Sequence, residues 1–171
     1  MIPALIRTAA AGVGVALYVL LLAPPLLLWT WITGRPDALY AAGAGGVRLG
    51  FWLAGLRLTV TGADRILPVG AVYACNHSSN VEAPAVFLAL RRLHPQLRVL
   101  YKAELRKLPV LVWVFDMAGF VPLERANQAQ SWPAVDRAAD ALRAGNSFFI
   151  FPEGTRSRTG CPARCARAGP R

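Results

Sequence analysis

From Thr8 to Gly34 the chain carries no charged residue, and Arg7 and Arg35 close the run on either side. Roughly 20 consecutive apolar residues are enough to cross a bilayer as a helix, so this segment is long enough to span one. No water-soluble core readily absorbs such a stretch, which makes it the strongest single constraint on the fold. Pro24 and Pro25 fall inside it, and an interior proline removes a helical hydrogen bond, so a kink or an early helix end is expected there. Trp29 and Trp31 near the far end suit a water–lipid interface. A cleaved leader is the competing reading, with Arg7 as its basic start and Ala42-Gly43-Ala44 as a small-residue cleavage site. The run far exceeds the 7–15 residues or so of a leader, and Arg35 and Asp37 intervene, so anchoring is preferred.

The stretch from Ala38 to Leu58 is apolar but interrupted by Arg48 and Arg57, and Tyr40, Val47, Phe51, Leu53 and Leu56 give it a partly amphipathic helical pattern. With a turn at Gly34-Arg35-Pro36-Asp37, two arrangements fit. One is a helical hairpin lying in one leaflet; the other is a spanning helix followed by a core helix.

Beyond Gly62 short apolar runs alternate with helical stretches. Leu56–Thr61, Ala71–Cys75, Arg98–Tyr101, Gly119–Leu123 and Ser147–Phe151 read as strands. Val81–Leu90, Leu108–Met117 and Asn127–Arg143 read as helices, the last with Trp132, Val135, Ala139 and Leu142 on one face and Gly145 as its stop. This alternation predicts an α/β layered sheet-and-helix domain. The predicted organisation is a membrane-associated helical segment over 1–55, a catalytic domain over 56–157 and a basic low-complexity tail over 158–171.

The formal charge is +10, from 19 Lys and Arg against 9 Asp and Glu. Arg158, Arg164, Arg167 and Arg171 contribute four of these charges in an acid-free stretch, yet a positive excess remains without them. That excess favours an anionic partner, whether a phosphate, an acidic headgroup or a nucleic acid. Cys75, Cys161 and Cys165 are odd in number and do not form a disulfide framework, and with His77 and His94 they lack zinc-ligand spacing, so no metal site is expected.

Two clusters follow predicted strands, where α/β domains place ligands. In the first, Asn76-His77-Ser78-Ser79-Asn80-Val81-Glu82-Ala83-Pro84, the imidazole leaves a strand and Glu82 lies five residues on, at a helix start. A carboxylate folded back onto Nδ1 leaves Nε2 free to act as a base. Equally, Glu82 fits as an acid favoured by a helix N-terminus. Ser78 and Ser79 sit in no nucleophile elbow and read as helix caps. The second cluster is Phe151-Pro152-Glu153-Gly154-Thr155-Arg156-Ser157, where the arginine fork suits a phosphate. Arg125, at the end of Gly119-Phe120-Val121-Pro122-Leu123-Glu124-Arg125, offers a second fork. Taken singly, each arginine also fits a solvated surface ion pair.

In their order, the three clusters resemble the glycerolphosphate and lysophosphatidate acyltransferase family. Asn76-His77 through Glu82 is similar to its first block, N-H-x-x-x-x-D, and Gly119 through Arg125 to its second, G-x-x-F-I-D-R. Phe151 through Ser157 matches its third, F-P-E-G-T-R-S, at every position. Glu82 stands where the family has aspartate, Pro122 where phenylalanine is common, and Glu124 in place of aspartate. The family's fourth block, an apolar-proline strand motif, has no counterpart, and residues 158–171 read as an out-of-frame or truncated end. The expectation is therefore a domain incomplete at its C-terminus, and a chain that is poorly active as it stands.

The resemblance implies acyl transfer from acyl-CoA or acyl-carrier protein to the free hydroxyl of a lysophospholipid, 1-acyl-glycerol-3-phosphate first among them. It implies His77 and Glu82 as catalytic residues, and Arg125, Glu153, Gly154, Thr155 and Arg156 as substrate-binding ones. It implies no cofactor, no metal and no nucleic acid, and places the protein at the cell membrane with its catalytic domain on the cytoplasmic side, where thioester donors are found. A different lysolipid or amino-acid lipid acceptor, or an inactive membrane-anchored remnant, are the alternatives.

If Arg156 binds the acceptor's phosphate, Arg156→Ala should raise the apparent KM for the phosphorylated acceptor while leaving that for the acyl donor less affected. Steady-state kinetics with each substrate varied in turn checks this; a change in the donor constant alone would move Arg156 to the thioester site.

Overall fold

The computed structural model describes residues 2–68, 70–124 and 128–153. Helix α1 spans Ile2–Thr33 and α2 spans Asp37–Ala54. Strand β1 (Val72–Ala74) leads to α3 (Glu82–Ala89), β2 (Leu97–Lys102) to α4 (Pro109–Met117), and β3 (Val121–Leu123) to α5 (Gln128–Arg143). Strand β4 is Ser147–Ile150. Short 3-10 turns cover Ala63–Arg65, Arg91–Leu93 and Ala103–Lys107.

The four strands form a parallel sheet in the order β1-β4-β2-β3. Strand β4 enters between β1 and β2, pairing Val72 with Phe148 on one side and Leu97 with Ser147 on the other. A central parallel strand is covered on both faces, which is why Ser147-Phe148-Phe149 is buried without alternation. Phe149 packs on one side with Tyr40, Leu90, Leu93, Leu97 and Ala118. Phe148 packs on the other with Val121 and Ala134 of α5. The result is the α/β layered architecture that the strand–helix alternation predicts.

Helix α1 runs unbroken through Pro24 and Pro25, contrary to the expected early end. Prolines remove two backbone donors and the turns on either side remain helical, since α1 is held along its length against α2. Small residues make that approach possible: a Cβ on Gly45 would lie 2.6 Å from the Tyr18 hydroxyl, and one on Gly46 3.1 Å from its ring. Tyr18 in turn donates to the Ala42 carbonyl at 3.0 Å. The segment Pro3–Thr33 is long and apolar enough to cross a membrane, and it leaves Leu21, Trp29, Trp31 and Ile32 well exposed.

Helix α2 is both the second arm of this hairpin and a core helix. Tyr40 is 2% exposed, and its hydroxyl lies 2.5 Å from the Leu97 carbonyl and 3.0 Å from that of Ala118 while accepting from Arg98 Nη1 at 2.7 Å. Arg98 Nη1 also donates to the Pro95 carbonyl at 2.6 Å. Burial pushes the Tyr40 phenol up to about 12 despite the opposing pull of Arg98, so it stays a neutral donor.

Two further expectations need correction. Leu56–Thr61 is not a strand: α2 ends at Gly55 in a left-handed cap, Leu56 N–H turns back to the Phe51 carbonyl at 2.8 Å, and residues 56–62 run on without a ladder partner among the described residues. Alternation specifies an extended shape, but a strand also needs a neighbouring backbone. On α5 the buried stripe is Ala134, Ala138, Ala141 and Leu142, and Val135 points outward at 40% exposure. Alanines let this helix lie close on Val121 and Phe148, and that proximity rotates the stripe from the one the larger side chains mark.

Replacing Tyr40 by phenylalanine keeps the ring but leaves buried partners unsatisfied, which should cost about 1–3 kcal/mol of stability. Thermal unfolding in detergent of Tyr40→Phe against the parent checks it; an unchanged midpoint would show that the hydroxyl contributes nothing net.

Candidate active site

Parallel strands put all their C-terminal ends on one edge of the sheet, and the first and third sequence clusters emerge there, after β1 and β4. Because β4 pairs with β1, and Cys75 N–H continues the ladder to the Ile150 carbonyl at 3.0 Å, the loops that follow them are neighbours. Strand β3, which lies within the second cluster, is at the opposite side of the sheet from β1, about 14 Å away at ~4.8 Å per strand.

His77 leaves β1 in that loop and Glu82 is the first residue of α3. The chain folds back so that His77 Nδ1 lies 3.0 Å from Glu82 Oε2, with the two side chains 17% and 25% exposed. The same carboxylate accepts the Ser78 backbone N–H at 2.8 and 3.0 Å and the Ser78 hydroxyl. Partial burial works to raise the Glu82 carboxyl. Hydrogen bonds from the Ser78 hydroxyl, the His77 ring and the backbone of Ser79 and Ser78 outweigh it and hold the group at about 2, against an ordinary 4.5. Glu82 is therefore an anion at any physiological pH, and an anion on Nδ1 favours the tautomer that carries its proton there, with Nε2 as the acceptor.

Neither serine caps α3, contrary to expectation: Val81 occupies the cap position without a side-chain bond. The hydroxyl of Ser78 braces Glu82, and that of Ser79 accepts only a long 3.4 Å contact from Val81 N–H. The Cys75 thiol is raised by burial and then by the Glu82 anion, which leaves it a poor nucleophile.

The third cluster closes on His77 from the other side. The Phe151 ring stacks on the imidazole with centroids 4.3 Å apart and planes 25° from parallel. Glu153, 9% exposed, accepts the His77 backbone N–H through Oε1 at 3.2 Å. Sequence reasoning assigns Glu153 to substrate; the structure places its carboxylate on the chain that carries the imidazole. Phe151 escapes sequence reasoning as a site residue, although its place at the strand end, next to the block's proline, is the available signal. In the second cluster Gly119 serves the backbone: its φ is +69°, and a Cβ there would lie 2.7 Å from Arg98 Nε. Arg125, Gly154, Thr155 and Arg156 lie outside the described residues.

An apolar cavity of about 570 Å³ separates the α1–α2 hairpin from α3, α4 and the sheet. Tyr18, Gly46, Phe87, Ala118 and Phe149 line it, and it reaches Ala83 and Pro84, the two residues after Glu82. Its size falls within the ~300–1,000 Å³ usual for ligand pockets. Nothing in the sequence marks it, because its walls come from six separate elements.

The folded Glu82 carboxyl lies below its unfolded value, so its contribution to stability is complete above about 4.5 and is lost as pH falls toward 2. The difference in melting temperature between the parent and Glu82→Gln should stay constant from pH 7 to pH 5 and shrink below it. Thermal unfolding across that range checks the sign; a gap that widens on acidification would show the carboxyl is not depressed.

The acyltransferase family model matches residues 57–169, more than half of the chain. A 1-acyl-sn-glycerol-3-phosphate acyltransferase of Cocos nucifera is 30% identical over 136 residues, covering 79% of this chain and 42% of that protein. A chloroplastic enzyme of the same name from Arabidopsis thaliana is 33% identical over 90 residues, covering 53% of this chain and 24% of that one. The chain spans less than half the length of these relatives. Among solved structures, the 1-acyl-sn-glycerophosphate acyltransferase PlsC of Thermotoga maritima superposes with a TM-score of 0.73 at 22% identity, over 95% of this chain and 65% of that one, a likeness of fold. With the parallel sheet, the His–Glu loop and the family model all falling on the same residues, the chain belongs to the acyltransferase family.

Proposed function

We propose that the chain transfers a fatty acyl group from an acyl thioester, acyl-CoA or acyl-carrier protein, to the free hydroxyl of a lysophospholipid, with 1-acyl-glycerol-3-phosphate as acceptor. The observation that carries this reading is the His77 Nδ1–Glu82 Oε2 contact of 3.0 Å beside an apolar cavity that begins at Ala83 and Pro84. A base next to a dry slot suits a reaction in which a hydroxyl and a fatty chain must meet. The names of the matched relatives support the same acceptor.

In this mechanism Nε2 of His77 takes the hydroxyl proton as the acceptor oxygen attacks the thioester carbonyl carbon. A carbon–oxygen bond forms and the carbonyl electron pair moves onto its oxygen. The pair then returns, the carbon–sulfur bond breaks, and the leaving sulfur takes the proton from the imidazolium, which restores the neutral base. No acyl-enzyme forms. The Glu82 anion balances the imidazolium, Phe151 and Glu153 hold the ring and its backbone in place, and a base so positioned contributes ~10²–10⁴-fold. Arg125 and Arg156 bind the acceptor phosphate, with Glu153, Gly154 and Thr155 shaping that loop. The cavity takes a fatty chain. Helix α1 anchors the chain in the cell membrane, with the site on the cytoplasmic side where thioester donors are made, and no cofactor takes part.

Membranes carrying a full-length version, with a family-like segment restored after Ser157, should transfer labelled acyl groups to 1-acyl-glycerol-3-phosphate in preference to lysolipids with larger headgroups. His77→Ala should lower that rate by at least ~100-fold. Glu82→Gln should be nearly as damaging, whereas Glu82→Asp should retain much of the activity. Rates within a few-fold of the parent for His77→Ala would overturn the mechanism, and equal rates for all three side chains at 82 would reduce Glu82 to a helix-end acid. A preference for another acceptor would overturn the substrate assignment alone.

A further inference from the structure

A second concavity, of about 540 Å³, lies at the other end of α3 from Glu82, where Leu88 and Ala89 line it. Arg48 of α2 and Arg91 and Arg92 of the turn after α3 contribute its charge. Leu56, Leu58 and Val60 contribute its apolar wall. The eight residues of α3 separate it from the His77–Glu82 pair by about 12 Å at ~1.5 Å per residue.

Two features of this groove point the same way. No acidic residue lines it, and none of its three arginines takes part in an ion pair among the described residues. Arg92 Nη1 donates to the Ala63 carbonyl at 3.2 Å, which anchors that side chain while leaving its other nitrogens available. The second feature is the segment after α2, which has the strand-like alternation Leu56-Arg57-Leu58-Thr59-Val60 but no strand partner among the described residues. Its three apolar side chains are 44%, 40% and 43% exposed and share the groove with the arginines. A free anion would satisfy the guanidinium groups and leave the apolar wall wet. An uncharged chain would do the reverse. An amphiphile with an anionic head satisfies both.

The groove's place relative to α1 identifies the source of such a molecule. Gly55, next to Leu56, packs so close to the start of α1 that a Cβ on it would lie 2.8 Å from Arg7 Nη1. Arg7 is where charge ends and the uncharged run of α1 begins. With α1 in a bilayer this is the depth of the phosphate headgroups, where basic side chains meet anionic lipid. We propose that the groove binds one anionic phospholipid, its phosphate on Arg48, Arg91 and Arg92 and an acyl chain along Leu56, Leu58 and Val60. Phe51 lines both this groove and the apolar cavity beside the active site, so a lipid here packs against the wall of the cavity that serves the reaction.

The test uses the full chain in neutral detergent micelles, titrated with dioleoyl-phosphatidylglycerol and followed by thermal unfolding and by native mass spectrometry. A saturable rise in melting temperature with one lipid retained is expected, with no such rise for dioleoyl-phosphatidylcholine or for inorganic phosphate. Arg48→Gln/Arg91→Gln/Arg92→Gln should weaken the titration at least ~10-fold, since charge-assisted contacts to phosphate are among the stronger polar interactions. Leu58→Asp, a single exposed change, should weaken it as well. His77→Ala, and a control that removes Arg35, Arg137 and Arg143 instead, should leave it unchanged. Saturation by inorganic phosphate alone would make this a free-anion site and overturn the proposal. Equal loss in the control variant would reduce the effect to net charge, and loss in His77→Ala would assign the lipid to the reaction site; either result overturns it too.

Discussion

The pairing of β4 with β1 is the constraint on which the rest of the site depends. These two strands are more than seventy residues apart in the chain, and their in-register parallel contact from Val72–Phe148 to Ala74–Ile150 brings two loops together at one sheet edge. One loop carries His77 and the other carries Phe151 and Glu153. Strand β4 can occupy that place because its side chains are apolar on both faces, as a strand covered by helices on either side requires. A more polar Phe148 or Phe149 would leave a buried surface unfilled, and the loops would lose the common frame that sets the 4.3 Å ring stack.

Tyr40 plays the corresponding part for the helical front of the molecule. Its hydroxyl joins α2 to β2, to the end of α4 and to Arg98, so the hairpin is fixed to the sheet by a buried polar group as well as by packing. That rigid attachment has a consequence for chemistry. The apolar cavity exists only because the hairpin stands off from α3 and α4 while being held at Tyr40 on one side. The same glycine-lined seam that draws α1 onto α2 leaves the outer face of α1 apolar and exposed. The apolar helix, cavity and sheet are thus one mechanical unit.

Local chemistry was legible along the chain wherever a short-range rule governs it. The helices α3, α4 and α5 fall within a residue or two of their expected bounds, because apolar periodicity and glycine or proline punctuation act over a few residues. The five-residue spacing of His77 and Glu82 anticipated their contact. The reading failed where the decision belonged to a distant partner. Leu56–Thr61 alternates like a strand yet has no ladder among the described residues, and Pro24-Pro25 sits within one continuous helix held by its neighbour. The outward Val135 on α5 followed from the same cause, since large side chains mark amphipathicity while alanines mark close approach.

The sequence by itself determined an apolar front helix, an α/β domain behind it and the residue types of the site, for these follow from composition, period and motif. Tertiary structure alone decided that β4 lies between β1 and β2, that Glu153 accepts the backbone N–H of His77, and that six elements line an apolar cavity next to Glu82. The physical reason is range. Hydrogen bonds and capping within a turn are specified by neighbours in the chain, whereas strand order, ring stacking and cavity walls are set by which distant surfaces exclude water together.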